Sequence, residues 1–220
     1  DGVARAFVNM CSHRGAQLVD PGVGTARRFA CPYHNWTYNQ EGDLVGVFKQ
    51  EDFGQLDTSC LGLTQLPIAE RAGLIWVTLS PDSKLDFDAF FAGYDEMLEF
   101  CDFASMNHFG TRILAGPNWK ISFDGYVDFY HLPILHKNTF GPDMSPDALF
   151  HRVGPHQRVT GPRGNGAKLE GRPTSEWPES VLTGGVWSVF PHGSIAGFEI
   201  EGHKIYQVAR VFPGATADES

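Results

Sequence analysis

The sequence contains no run of eighteen or more apolar residues, so it offers no helix able to span a membrane. It is also short of positive charge. Seventeen Lys and Arg stand against 26 Asp and Glu, giving a formal net charge of −9 at pH 7. Nucleic acid and anionic membrane both reward clustered Lys and Arg, so neither is an expected partner. Cysteine is sparse: four in 220 residues is far thinner than the disulfide framework of a small secreted domain. There is no internal repeat, no low-complexity tract, and no basic-then-apolar signal segment at the start. The chain opens inside a strand-like run and stops soon after another, so both ends read as cuts in a longer protein, expected to be cytoplasmic.

What is present suits a globular chain. Hydrophobic residues make up 42% and charged residues 20%, with length enough for one large domain or two small ones. "ARAFVNM" and "RRFACPY" read as strands, and "TYNQEGDLVGV" as a hairpin turning at Glu41-Gly42-Asp43. "LPIAERAGLIWVTLS" reads as a second hairpin turning near Ala72-Gly73. "SPDS", residues 80–83, is a polar breaker suited to capping an amphipathic helix over about 84–100, where the composition changes. "TRILA" reads as a strand, and "PNWKISFDGYVDFYH" as a helix with Pro117 near its first turn. Residues 138–180, rich in Pro, Gly and Ser, read as a long loop. "GVWSVFPHGSIAGFEI" and "HKIYQVARVF" close the chain as strands, with Glu201-Gly202 as a turn.

Two clusters carry chemistry. "CSHRG" supplies Cys11 and His13, and "CPYHNW" supplies Cys31 and His34, in the pattern C-x-H, seventeen residues, C-x-x-H. Each short loop brings one thiolate and one imidazole. Zinc accepts such a set in a tetrahedron. So does a [2Fe–2S] cluster with two Cys on one iron and two His on the other. The C-x-H spacing is tighter than zinc fingers use. The second cluster, "YVDFYHLPILHKN", holds Asp128, His131 and His136, with Pro133 between the histidines. On a continuous helix Asp128 and His131 share a face, whereas His131 and His136 stand roughly 140° apart.

"CSHRG…CPYHNW" resembles the Rieske iron–sulfur motif, and "NWKISFDGYVDFYHLPILH" is similar to the catalytic helix of Rieske non-haem iron oxygenases, the ring-hydroxylating oxygenase large (α) subunits. The resemblance covers nearly the whole chain, with both motifs in the family's order. It implies an α+β fold: an all-β Rieske domain over 1–82, then over 83–220 the first part of a catalytic domain of antiparallel sheet plus helices. It implies that Cys11 and Cys31 bind one iron of a [2Fe–2S] cluster and His13 and His34 the other, with Arg14, Tyr33 and Trp36 around them. It implies that His131 and His136 hold a mononuclear ferrous ion, with Pro133 breaking the helix so that His136 turns back towards the same metal. The family's third ligand, a carboxylate, comes from a later helix; Asp143 and Asp147 have a loop-surface context. Asp128 resembles the acid that bridges a Rieske histidine of a neighbouring subunit and an iron-ligand histidine of its own. One departure is that many relatives carry Asn or Glu-Asn one turn before that acid, where this chain has Asp124-Gly125.

The implied activity is that of a terminal oxygenase, activating dioxygen and hydroxylating a small organic, aromatic substrate. The implied partners are a ferredoxin and/or an NAD(P)H-dependent reductase, in a homotrimer with or without a small β subunit. Two rivals stand beside it. A Rieske ferredoxin-type electron carrier would need residues 1–80 and nothing like His131 and His136. A zinc-stabilised binding module without redox activity would be colourless. Cys60 and Cys101 are expected to be buried free thiols, and His108, His151, His156, His192 and His203 surface or satisfied core histidines.

Overall fold

Tight turns, rather than long strands, organise the first part of the chain. In the computed structural model, which describes residues 2–139, 148–161, 169, 171–218 and 220, the chain divides into two units, Asp1–Asp86 and Phe87–Ser220. In the first, β1 (Ala6–Phe7) pairs antiparallel with β5 (Gln65–Leu66). β2 (Phe29–Ala30), β3 (Thr37–Tyr38) and β4 (Leu44–Gly46) form a three-stranded sheet. The β3–β4 hairpin turns where expected: Asn39 Oδ1 accepts the N–H groups of Glu41 and Asp43, and Gly42 takes φ 88°. A Cβ on Gly42 would also lie 2.4 Å from the Phe7 ring, so the turn needs glycine twice over. β6 (Ile68–Arg71) and β7 (Leu74–Val77) form the second expected hairpin, with Ala72 and Gly73 both at positive φ. The core of this unit is Cys11, Cys31, Trp36, Tyr38 and Leu44, so the candidate thiol ligands are themselves core residues.

The second unit is a five-stranded antiparallel sheet in the order β12-β11-β10-β9-β8. Its strands are β8 (Leu149–Val153), β9 (His156–Thr160), β10 (Gly185–Val189), β11 (Gly193–Ile200) and β12 (His203–Arg210). Directly opposed residues of antiparallel strands share a face. Arg158, Trp187, Ile195, Gly197 and Tyr206 therefore face one side, where Phe103 packs on Tyr206 at 4.9 Å. Val159, Val186 and Ala196 face the other, against Phe129, Tyr126, Val127 and Leu132. That second face supports the segment carrying Asp128, His131 and His136. Arg158, only 4% exposed, donates to the carbonyls of Val181, Leu182 and Gly184 at the C-terminal end of α5 (Glu179–Thr183). It also lies 4.5 Å over the Trp187 ring. Burial pulls its pKa down to about 10, which leaves it charged at neutral pH.

Several elements differ from the sequence reading. The helix expected over 84–100 is two short ones, α1 (Phe87–Phe91) and α2 (Glu96–Glu99), broken by Ala92 and Gly93 at positive φ. The break lets Phe91, Tyr94 and Leu98 all reach full burial, at 1%, 0% and 0% exposure. The loop expected over 138–180 contains the β8–β9 hairpin and the start of α5. "TRILA" is not a strand: Ile113 and Leu114 are exposed, and just past it Gly116 exchanges backbone bonds with Ser220. Among the described residues no strand lies alongside it to form a ladder. Cys101 is buried as expected, but Cys60 is exposed and donates its Sγ–H to Asp57 O at 3.3 Å.

The packed face of the sheet sets a stability test. A Cβ on Gly197 would lie 2.5 Å from Thr183 O and 2.8 Å from the Tyr206 ring. Gly197→Ala should destabilise the second unit by about 1–3 kcal/mol, as overpacking generally does. Urea unfolding followed by Trp fluorescence measures it, and an unchanged midpoint would contradict this packing.

Candidate metal centres

The two Cys/His loops share one backbone design. In each, the cysteine N–H donates to the carbonyl five residues on: Cys11 to Ala16 O at 2.8 Å and Cys31 to Trp36 O at 2.7 Å. The cysteine carbonyl accepts from the N–H four residues on, that of Gly15 and that of Asn35, each at 2.9 Å. Closing the loop so tightly puts that fourth residue in the left-handed region, φ 72° at Gly15 and 57° at Asn35. Glycine and asparagine are the residues that accept it at least cost.

The loops bring His13 and His34 together, ring centroids 4.6 Å apart. Trp36 stacks on His13 at 4.6 Å and 10°, and Tyr33 covers His34 at 3.8 Å. Nδ1 of each histidine is buried and has no hydrogen-bond partner. Burial, aided by His34 and Arg14, holds the His13 pKa below its ordinary value and favours the neutral ring that binds metals. At Cys31 burial alone would raise the pKa. The N–H groups of Tyr33 and His34 and the Cys11 thiol outweigh it, so the net shift is downwards, towards thiolate. Two groups escaped the sequence reading. Tyr38 OH lies 3.2 Å from Cys11 Sγ and 2.9 Å from Ser12 Oγ, and Ser12 Oγ donates to Leu61 O at 2.6 Å. Phe53 sits edge-on to His13 at 6.2 Å. A tyrosine four residues past His34, at the end of a strand, was the available signal for the first.

This donor set fits a two-iron group. The Cys11 and Cys31 thiols are hydrogen-bonded as one pair, the His13 and His34 rings stand 4.6 Å apart as another, and the buried Nδ1 of each ring is left without a partner. A single tetrahedral zinc needs all four ligands on one point, whereas a [2Fe–2S] cluster takes two Cys and two His on separate irons.

In the second unit, the helix meant to carry Asp128 stops short of it. α3 (Trp119–Val127) is capped by Asn118, whose side chain accepts the Lys120 N–H at 2.9 Å. Asp128 is already extended, at φ −89° and ψ 108°. Its Oδ1 accepts the Tyr130 N–H at 2.8 Å, and Oδ2 lies 3.3 Å from His131 Nδ1. A second short helix, α4 (Leu132–Leu135), then starts with His131 as its N-cap and Pro133 in its first turn. Pro133 therefore opens a helix rather than breaking one, a position it tolerates because the missing N–H has no intrahelical partner there. The break lies upstream, at Asp128–Phe129. Across it the ring centroids of His131 and His136 stand 5.3 Å apart. With Asp128 accepting at Nδ1, His131 presents its Nε2 lone pair. These two imidazoles could hold a ferrous ion. Asp143 and Asp147 lie outside the described residues. Phe123 and Phe129 are in the core, whereas Leu135 is exposed.

Comparison with known proteins covers both parts of the chain. The profile of the Rieske [2Fe-2S] domain matches residues 1–59, and that of the ring hydroxylating alpha subunit (catalytic domain) matches residues 103–219. The chain belongs to the ring-hydroxylating alpha subunits. The two matched domains imply a [2Fe–2S] cluster and a mononuclear iron. The large oxygenase component of the 2,4-dinitrotoluene dioxygenase system of Burkholderia sp. (strain RASC) is 34% identical over 62% of this chain and 32% of its own length. The carnitine monooxygenase oxygenase subunit of Escherichia coli (strain K12) is 31% identical over 70% of this chain and 41% of its own. Among solved structures, naphthalene 1,2-dioxygenase from Rhodococcus sp. bound to indole matches with TM-score 0.73 and 25% identity, over 98% of this chain and 57% of that one. The apo form of a quaternary ammonium Rieske monooxygenase shares the fold, with TM-score 0.66 at 18% identity over 96% of this chain and 57% of that one. The chain thus spans well under two thirds of the relatives it matches. A match to the catalytic domain is what an electron carrier built from the first unit alone would lack. Among the described residues no helix is long and apolar enough to cross a membrane.

The loop geometry makes a prediction of its own. Asn35→Gly should leave the first unit folded and stable, whereas Asn35→Val should cost about 1–2 kcal/mol or more, because a β-branched side chain resists the left-handed region. Thermal unfolding of the two variants decides it; equal stability would show that Asn35 does not hold this conformation.

Proposed function

We propose that the protein is the large subunit of a terminal oxygenase that hydroxylates a small organic, aromatic substrate. In this reading residues 1–82 form the electron-accepting domain and 83–220 the first part of the catalytic domain. Cys11 and Cys31 hold one iron of the cluster, His13 and His34 the other through Nδ1, and His131 and His136 hold the mononuclear iron. The cluster supplies single electrons, and ferrous iron supplies dioxygen activation. The observation that carries the reading is the Asp128–His131–His136 turn on a chain that also carries the paired Cys/His loops. An electron carrier or a zinc module would have no use for that turn.

The chain's own residues prepare both sites. The lowered Cys31 and His13 pKa values both shift the donors towards their metal-binding forms. The Tyr38 hydroxyl lies 3.2 Å from Cys11 Sγ, within hydrogen-bonding reach of the sulfur. Asp128 fixes the His131 tautomer and ring direction, and as the bridging acid it would also face a cluster histidine of a neighbouring subunit in a homotrimer. Electrons would come from an NAD(P)H-dependent reductase, directly or through a ferredoxin. The relatives' names support an oxygenase of small organic molecules, aromatic in 2,4-dinitrotoluene and naphthalene and aliphatic in carnitine and choline.

Asp128→Asn in the full-length protein tests the proposal. Asn keeps the shape but removes the charge and can turn an amide donor towards His131. The variant should fold, keep its visible spectrum and accept electrons at the parent rate. In single turnover, with the cluster pre-reduced, product formation should fall by about 10–100-fold, the usual effect of losing a ligand-orienting carboxylate. Cluster reoxidation and product at the parent rate would remove Asp128 from the mechanism.

A further inference from the structure

His156 takes no part in either candidate metal centre, yet it is fully buried, at 0% exposure. Its Nε2 lies 2.8 Å from Phe90 O in α1, and its Nδ1 lies 3.2 Å from the Phe190 N–H just past β10. A carbonyl only accepts, so Nε2 carries the proton. A backbone N–H only donates, so Nδ1 carries the lone pair. Both ring nitrogens are satisfied in one neutral tautomer and in no other state. Phe90, Phe91 and Tyr94 surround the ring, with centroids at 4.6, 6.0 and 5.1 Å.

We propose that His156 is an acid-sensitive latch, joining α1 to the β10–β11 turn and releasing both when its second ring nitrogen takes a proton. A proton on Nδ1 would face the Phe190 N–H, turning a hydrogen bond into a donor–donor contact inside an aromatic shell. Neighbouring groups do little to offset this. α1 offers Asp88, which is exposed, and the turn after it offers Tyr94, whose hydroxyl donates to Gln157 O at 2.6 Å. β8 offers the exposed His151 and Arg152. β9 itself offers Arg158, on the same face and bonded to the carbonyls at the end of α5. The β10–β11 turn offers His192, whose ring lies against Phe212 at 5.0 Å. Burial lowers the His156 pKa below 6.5, and the Phe90 carbonyl opposes that only in part.

The sign follows from the direction of that shift. A histidine whose folded pKa lies below its unfolded value of 6.5 contributes its full stability above 6.5. That contribution is lost as pH falls towards the folded pKa, and the opening equilibrium constant rises up to about tenfold per pH unit.

Hydrogen–deuterium exchange of the metal-loaded protein, corrected for intrinsic rates, reads the latch locally. Between about pH 7 and about pH 5.5, protection of peptides containing Phe90 and Phe190 should fall by up to about tenfold per unit. A peptide from the β6–β7 hairpin serves as control. His156→Gln keeps an amide donor and an acceptor but does not titrate, so its protection should stay flat over the same range. A variant profile that superimposes on the parent would overturn the proposal. Should the variant not fold, long-range nitrogen NMR of the parent decides instead. The His156 ring must stay neutral and Nε2-protonated at pH values where exposed histidines are charged. Protonation at the ordinary value with both peptides still protected would overturn the latch.

Discussion

Between Val127 and His131 the backbone leaves the helix, and the Asp128 carboxylate takes over a hydrogen bond that the helix would have made. One oxygen accepts the Tyr130 N–H and the other approaches His131 Nδ1. A continuous helix would have set His131 and His136 on different faces. The extended residue at Asp128 and the fresh start of α4 bring the rings to 5.3 Å instead. One carboxylate thus ends a helix, orients an imidazole and sets where a second imidazole can go. The apolar face below it, with Phe129 and Leu132 against Val159, Val186 and Ala196, holds the turn in place. A pair of imidazoles brought together by such a break depends on packing as much as on donor chemistry.

The first unit meets the opposite demand. A buried polar atom without a partner generally costs about 1–3 kcal/mol, and the loops leave two of them, His13 Nδ1 and His34 Nδ1. The fold tolerates this because the same loops satisfy their own backbone through paired hydrogen bonds and pack the thiols into the core. Those nitrogens are then free to bind something else. The lowered Cys31 pKa prepares the thiolate side in the same way. In the proposed ligation, two neutral imidazoles opposite two thiolates would bring less negative charge to the metals than four thiolates, which raises the potential and suits an electron acceptor.

The parts of this molecule that were legible in its sequence are those fixed locally. The hairpins at Gly42, at Ala72-Gly73 and at Glu201-Gly202 were readable because each turn requires positive φ. The Cys/His loops were readable because ligand spacing is itself a local property. The break at Asp128 was not, since Trp119–Val127 and the residues after it have similar helical character and only tertiary packing decides where the helix stops. Likewise Ala92-Gly93 divides a helix to bury Phe91, Tyr94 and Leu98 together, a choice made by the sheet beneath. Tyr38 joined the cluster loops through a contact twenty-seven residues back along the chain, at Cys11, which spacing alone does not encode.

The proposed electron-accepting role rests on two imidazoles and two thiolates holding a two-iron cluster. Pulsed EPR of the anaerobically purified, dithionite-reduced protein, carrying nitrogen-15 histidine, tests that directly. The account predicts a reduced [2Fe–2S] signal with hyperfine couplings from the ring nitrogens of both His13 and His34, and inorganic sulfide equal to the cluster iron. A colourless protein with stoichiometric zinc, or a cluster signal without histidine nitrogen coupling, would contradict it.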